Sequence, residues 1–112
     1  MSGRKRWDLA AEVYLLGKLF PMEEIYGLTS QVRRAAVSVR SNIAEGQVRQ
    51  STAEFLNFLS IAQGSLAEVD TQIMLAHRFH YATEARTARA FSLIVEVSKM
   101  LASLRASLTI RH

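Results

Sequence analysis

The apolar residues of this chain recur at helical spacing almost from end to end. Leu9, Val13, Leu16 and Phe20 follow at steps of four, three and four, one stripe of a helix predicted over residues 8–20. Pro21 stops it, and residues 22–27 read as a loop ending in a glycine turn. A second stripe, Leu28, Val32, Ala36, Val39 and Ile43, predicts a helix with Thr29 or Ser30 as N-cap and Gly46 as its C′ residue. Ser51-Thr52-Ala53-Glu54 is an S-x-x-E capping box directly before an apolar run. That run, Phe55, Leu59, Ala62, Leu66, Val69, Ile73 and Ala76, alternates steps of four and three, the seam of a bundle helix. Thr83 is the predicted N-cap of a fourth helix, whose stripe is Ile94, Val97, Leu101, Leu104 and Leu108. The connections are short, which makes neighbouring helices antiparallel. The expected fold is all-α: an antiparallel up-and-down four-helix bundle, one domain over residues 1–112, with a basic N-terminal tail at 1–6.

Apolar residues also fall outside these stripes. Leu56, Ala67 and Met74 lie to one side of the helix 3 seam, Ile61 and Leu75 on other sides, and Val37 and Ala44 outside the helix 2 stripe. A helix apolar nearly all round is buried on more than one side. A partner chain must supply the second side, so a homo-oligomer is expected. Gly64 points the same way: a mid-helix glycine costs about 1 kcal/mol relative to alanine, and with Ser60 one turn away it permits close helix approach. The alternative is a tolerated exposed glycine. Polar residues form two flanks beside the stripes, Gln31, Ser38, Asn42 and Glu45 on helix 2 and Ser65, Glu68 and Gln72 on helix 3. Such flanks suit a hydrogen-bond network at a subunit interface, with a ligand groove as the functional alternative. The interface candidates are Gly64, Ser60, Asn42, Glu45, Glu68 and Gln72.

Composition narrows the class. The 112 residues are 49% hydrophobic, with one proline and no cysteine. That suits long helices and excludes disulfides and thiolate zinc sites. The net charge of +4 is distributed in blocks: +3 over residues 1–6, −3 over 7–24, +3 over 25–53, −3 over 54–84 and +4 over 85–112. Eleven of the fourteen basic residues are arginine, the side chain suited to bidentate phosphate and carboxylate contacts. Arg33, Arg34, Arg40 and Arg49 are therefore the candidates for nucleic-acid binding. Arg33 and Arg40 share one stripe of helix 2, seven residues apart. The rival reading makes them a solvated face, or partners of Glu45, Glu68 or Asp70 in a neighbouring subunit. The longest uncharged stretch, residues 55–67, is too short to span a membrane. Arg4, Lys5 and Arg6 are followed by Asp8 and Glu12, which is not a signal peptide. A cytoplasmic location is expected.

No motif carries enzymatic chemistry. His77 and His80 sit three apart, a spacing that can share a metal, but no third ligand is evident beyond Glu84; a helix C-terminus favours histidine in any case. The Glu-x-x-His pairs of di-iron bundles are absent. Ser30, Ser38, Ser41 and Ser65 belong to no nucleophile motif, and there is no phosphate-cradling glycine loop. No enzyme, metal or cofactor is expected.

Two long strings carry a resemblance. Tyr26-Gly27-Leu28-Thr29-Ser30-Gln31-Val32-Arg33-Arg34-Ala35-Ala36-Val37-Ser38-Val39, followed by Ser41-Asn42-Ile43-Ala44-Glu45-Gly46, resembles the four-helix-bundle family encoded within intervening sequences of bacterial 23S ribosomal RNA genes. Glu54-Phe55-Leu56, Phe58-Leu59, Ile61-Ala62 and Gly64-Ser65-Leu66, with Glu68 and Gln72, match the same family. The resemblance runs from helix 1 to the end of helix 3; helix 4 matches only as an amphipathic pattern. It implies a ring-shaped homopentamer with no known catalytic activity. The accessory protein of diversity-generating retroelements is similar in fold, and is a basic pentamer that binds nucleic acid and its reverse transcriptase. Many members have proline where this chain has Arg40, so a helix 2 kink is not implied here and a basic side chain is added. Two classes of function follow: a nucleic-acid or ribonucleoprotein accessory module with RNA or DNA as partner, and a structural or protein-interaction scaffold whose arginines serve subunit interfaces.

Overall fold

The structure, a computed structural model, describes residues 4–110, with side chains for 8–109. Four helices account for most of it: α1 (Arg4–Gly17), α2 (Leu28–Gln47), α3 (Thr52–Arg78) and α4 (Glu84–Ile110). There is no strand among the described residues. α1 packs on α2 and α4, and α3 packs on α2 and α4, while the backbones of the diagonal pairs do not come close among the described residues. The molecule measures 47 × 25 × 20 Å. Its long dimension is close to that of a 27-residue helix at about 1.5 Å per residue.

The predicted stripes form one core. Leu9, Val13, Leu16 and Phe20 of the first segment, Val32, Ala36, Val39 and Ile43 of α2, and the α3 seam from Leu59 to Ala76 are all buried. Ile94, Val97 and Leu101 of α4 join them, with Leu28, Phe55, Leu104 and Leu108 partly buried at the margins. Along α2 and α3 the contacts run in step: Gly46 lies against Phe55 and Phe58, Ser38 against Ser65, and Gln31 against Gln72. No helix among the described residues is long and apolar enough to cross a membrane.

The helix ends depart from the sequence pattern in informative ways. Of the expected basic tail, residues 1–3 lie outside the described residues, and residues 4–6 form the first turn of α1. α1 ends at Gly17 rather than Phe20, because the amides of Lys18, Leu19 and Phe20 bond to carbonyls three residues back, the tighter 3₁₀ pattern. Neither Thr29 nor Ser30 caps α2. A 3₁₀ turn at Met22–Glu24 brings Glu24 Oε1 to within 3.1 Å of the Leu28 N–H, which starts α2 at Leu28 with Gly27 as N-cap. Gly46 is not a C′ residue: α2 continues to Gln47, and Gly46 is buried against Phe55 and Phe58, so close that a Cβ would lie 2.8 Å from Phe55 Cδ1. Nor does Arg40 interrupt α2, which is one continuous helix.

The Ser51 box holds. Ser51 Oγ accepts from the Glu54 N–H at 3.1 Å and lies 3.0 Å from the Glu54 carboxylate, to which its hydroxyl donates. Thr83 Oγ1 accepts from the Arg86 N–H at 3.3 Å, so the predicted α4 cap is also in place. α3 closes with a Schellman arrangement, the Tyr81 N–H bonding to Ala76 O and the His80 N–H to His77 O. That arrangement puts His80 at φ 61°, the left-handed region.

Candidate nucleic-acid and subunit interface

Because the backbone of each helix lies beside its two neighbours among the described residues, the surface divides into four faces, each with its own chemistry.

The α1–α2 face carries Arg33 and Arg34. Arg33 lies over the Tyr14 ring, 4.8 Å from its centroid, and its Nη2 donates to Tyr14 O at 2.9 Å. Its guanidinium covers Gly17, where a Cβ would come within 2.7 Å of Nε. Arg33 is thus a half-buried brace between the two helices. Arg34 beside it is exposed. Both line a groove of about 450 Å³ with Tyr14, Ile25, Ser30 and Val37. Arg40 is half-buried further along α2. Arg49, just beyond α2, pairs with Glu45 and lies 4.9 Å from the Phe58 ring centroid. The four candidate arginines do not converge on one point. Arg33 and Arg34 are adjacent, and Arg49 stands at the other end of α2 with its carboxylate partner.

The α2–α3 face is polar. The two polar flanks meet each other within one chain: Ser38 Oγ and Ser65 Oγ are 2.8 Å apart, and Asn42 Nδ2 donates to both Ser38 Oγ and Ser38 O at 2.9 Å. Gln72 Nε2 approaches Gln31 Oε1 at 3.5 Å. A shallow groove of about 200 Å³ lies between, bordered by Arg34 and by exposed Glu68. Two branches of opposite charge over hydroxyls and amides can accept donors and acceptors alike.

On the outer side of α3, Gly64 faces open space, with nothing within 4 Å of where its Cβ would be. Ser60 is held by Arg105 from α4, whose Nη2 donates to Ser60 Oγ at 2.7 Å and to Gln63 Oε1 at 3.1 Å. Of the apolar residues outside the stripes, Val37, Ile61, Met74 and Leu75 are exposed on this single chain.

Glu12 is the functional-looking residue that the sequence pattern passed over. It is only 5% exposed. Its Oε2 accepts from Arg86 Nη2 at 3.2 Å and its Oε1 from Arg89 Nε at 3.1 Å, which ties α1 to α4. A signal was there: Glu12 stands three residues from Leu9 and beside Val13, on the core stripe itself. At the end of the molecule where α3 turns into α4, Tyr81 OH donates to Glu24 Oε2 at 2.8 Å. That hydrogen bond, then burial and the charges of Glu24 and Glu23, hold the phenol above its ordinary value near 10. His77 and His80 are exposed, and no group of three or more His, Cys, Asp or Glu among the described residues is placed to hold a metal ion.

Comparison with known proteins follows the helical pattern. The model of a family described as 23S rRNA-intervening sequence protein matches residues 4–103. Among solved structures, the chain is similar to a protein of unknown function of the S23 ribosomal protein family from Bacteroides thetaiotaomicron VPI-5482, at 26% identity and a TM-score of 0.84. The match covers 92% of this chain and 96% of that one. No curated protein matches the chain significantly.

Proposed function

The chain belongs to the 23S rRNA-intervening sequence protein family, and on that footing we propose that it is a non-enzymatic, self-associating accessory module that binds nucleic acid in the cytoplasm through the basic face of α2. The observation that carries this reading is the charge of α2 itself. Between Glu24 and Glu45 there is no acidic residue, while Arg33, Arg34 and Arg40 fall within eight positions. Arg34 is exposed, and Arg33 is stacked on Tyr14 beside it. A stacked guanidinium is already ordered, so it loses less freedom on meeting a phosphate. Phosphate contacts of this kind position a nucleic acid without reading its sequence.

The module is proposed to be an up-and-down antiparallel bundle that assembles as a homopentamer. The α2–α3 contacts support the antiparallel course, since the residue number rises in one helix as it falls in the other. The exposed Val37, Ile61, Met74 and Leu75 support association, because a second chain would cover them. In a symmetric ring each arginine is repeated, so a few weak contacts per subunit add up through avidity.

A specific observation favours a second reading, a protein-interaction scaffold. Arg33, Arg49, Arg86, Arg89 and Arg105 are all engaged within the chain. The two readings separate on Arg34→Ala and on Arg33→Ala with Arg40→Ala, followed by fluorescence anisotropy of a labelled RNA and by light scattering. The nucleic-acid reading expects weaker RNA binding in both variants at unchanged mass. Loss of the oligomer in the double variant, with RNA affinity unchanged in Arg34→Ala, would establish the scaffold instead.

A further inference from the structure

Among the exposed apolar residues, two unlike groups cluster near one end of the molecule. The link between α1 and α2 carries Met22 at 82% and Tyr26 at 94% exposure, with exposed Glu23 between them. Ile25 beside them opens onto the α1–α2 face with Tyr14 and Val37. Where α3 meets α4, Met74, Leu75 and half-buried Phe91 line a groove of about 620 Å³, rimmed by His77, Arg78 and His80. A tyrosine that exposed withholds on the order of 150–250 Å² from burial, and large exposed apolar patches mark interaction sites.

The two patches complement each other. One is a short projecting segment, apolar at its ends and acidic in its middle. The other is an apolar groove with a basic rim at the C-terminal end of α3, where a helix terminus favours cations on the protein and the cations in turn favour an incoming carboxylate. Glu24 is not the available acid, because it is turned inward to Leu28 and Tyr81. Glu23 is exposed.

Their placement forbids one chain from satisfying itself. Both patches lie at the end of the molecule where Tyr81 meets Phe20 and Glu24. The α1–α2 pair and the α3–α4 pair, however, are opposite sides of the four-helix arrangement. Two different patches at one level on opposite sides make a heterologous contact, and a heterologous contact closes into a ring when its rotation permits. We propose that residues 22–26 of one copy seat in the Met74, Leu75 and Phe91 groove of a second copy, with Glu23 against Arg78. This rests on the self-association proposed above and names the surfaces that carry it.

The absence of native cysteine makes the contact directly readable. A chain with Tyr26→Cys and a chain with Leu75→Cys are co-expressed, purified together and mildly oxidised, and each is also oxidised alone. The expected result is a disulfide-linked dimer from the mixture and none from either variant alone. A dimer from Tyr26→Cys or Leu75→Cys alone would mean a two-fold contact through one patch and overturns the proposal. An oligomeric mass by light scattering with no cross-link in the mixture overturns these surfaces while leaving self-association standing, whereas a monomeric mass overturns both. A charge exchange that keeps the native surface shape gives the second readout. Arg78→Glu is expected to lower the mass, and Arg78→Glu with Glu23→Arg to restore it; failure of the pair to restore an oligomer lost in the single variant overturns the Glu23–Arg78 pairing.

Discussion

At Gly46 the α2 backbone comes within a methyl group's width of the Phe55 and Phe58 side chains, while Gly64, in α3, faces nothing within 4 Å. The same substitution should therefore have opposite signs at the two sites. Gly64→Ala should raise chain stability by about 1 kcal/mol through helix propensity. Gly46→Ala gains that propensity but forces aromatic side chains apart, an overpacking cost of about 1–3 kcal/mol, so it should be neutral to destabilising. Urea midpoints of the two variants check the difference; equal shifts would show that the phenylalanines yield freely. Ser51 is a second single-residue determinant. Ser51→Ala should cost about 0.5–2 kcal/mol, read as a lower denaturation midpoint at unchanged slope, and an unchanged midpoint would mean that another group caps α3. Tyr81 gives the pH signature. Its folded value is raised, so the protonated phenol stabilises the fold fully below the unfolded value near 10, and that contribution is lost as pH rises through the raised value. Native protein should lose more stability above about pH 10 than Tyr81→Phe does. Parallel alkaline profiles for the two would contradict the Glu24 hydrogen bond.

Between helices, the α1–α4 contact turns on a buried carboxylate. Glu12 is nearly inaccessible, whereas Arg86 and Arg89 are 41% and 66% exposed. Removing both arginines leaves an uncompensated buried charge, a loss of about 3–5 kcal/mol for a buried pair, with the lower end expected because the arginines are solvent-screened. Replacing Glu12 by methionine removes the charge together with its desolvation cost and should be much milder. Thermal or urea unfolding of the two variants decides it, and an equal loss would place the contribution in packing rather than charge. The same contact shows where the sequence was legible. The stripes of all four helices read correctly because burial on one side imposes a periodicity that survives in the sequence. Glu12 sits on such a stripe but was unreadable as a buried ion pair, since its partners lie over seventy residues away. Helix ends were harder still. Gly46 fits a chain reversal and a close helix approach equally well, and only the position of Phe55 separates them. Thr29 and Ser30 are good caps by residue type, but Glu24 reaches the α2 terminus first through a turn that no local pattern announced. Among the candidate site residues, helical angles alone group the Ser38 and Ser65 flanks as polar, but the expected subunit-interface network is instead a contact within one chain, which depends on how α2 docks on α3. That Arg33 would stack on Tyr14, while its neighbour Arg34 stays exposed, depends on how α1 docks.

Over the whole molecule, the four sides carry different mixtures of charge and apolar surface. The α2–α3 side offers amides and hydroxyls, the α1–α4 side an acid held by arginines, while the α1–α2 side exposes Tyr14, Ile25 and Val37 and the α3–α4 side Met74 and Leu75, each beside basic residues. This division suits a subunit that meets copies of itself through its apolar groups and leaves exposed Arg34 reachable from the α2–α3 groove, where phosphate would find it. The net charge of +4 per chain is multiplied by the subunit number in such an assembly, which raises the rate of encounter with a polyanion. Binding of this type releases counterions, so its strength is set by salt more than by sequence. The direct test is the affinity of the wild-type protein for an unstructured RNA, measured by anisotropy from about 50 to 200 mM salt. The account predicts binding at the low end that falls linearly on a logarithmic scale, by about 0.7 per phosphate neutralised on a single strand, and that is indifferent to RNA sequence. No detectable binding at about 50 mM salt, or an affinity that does not change across the range, would contradict it.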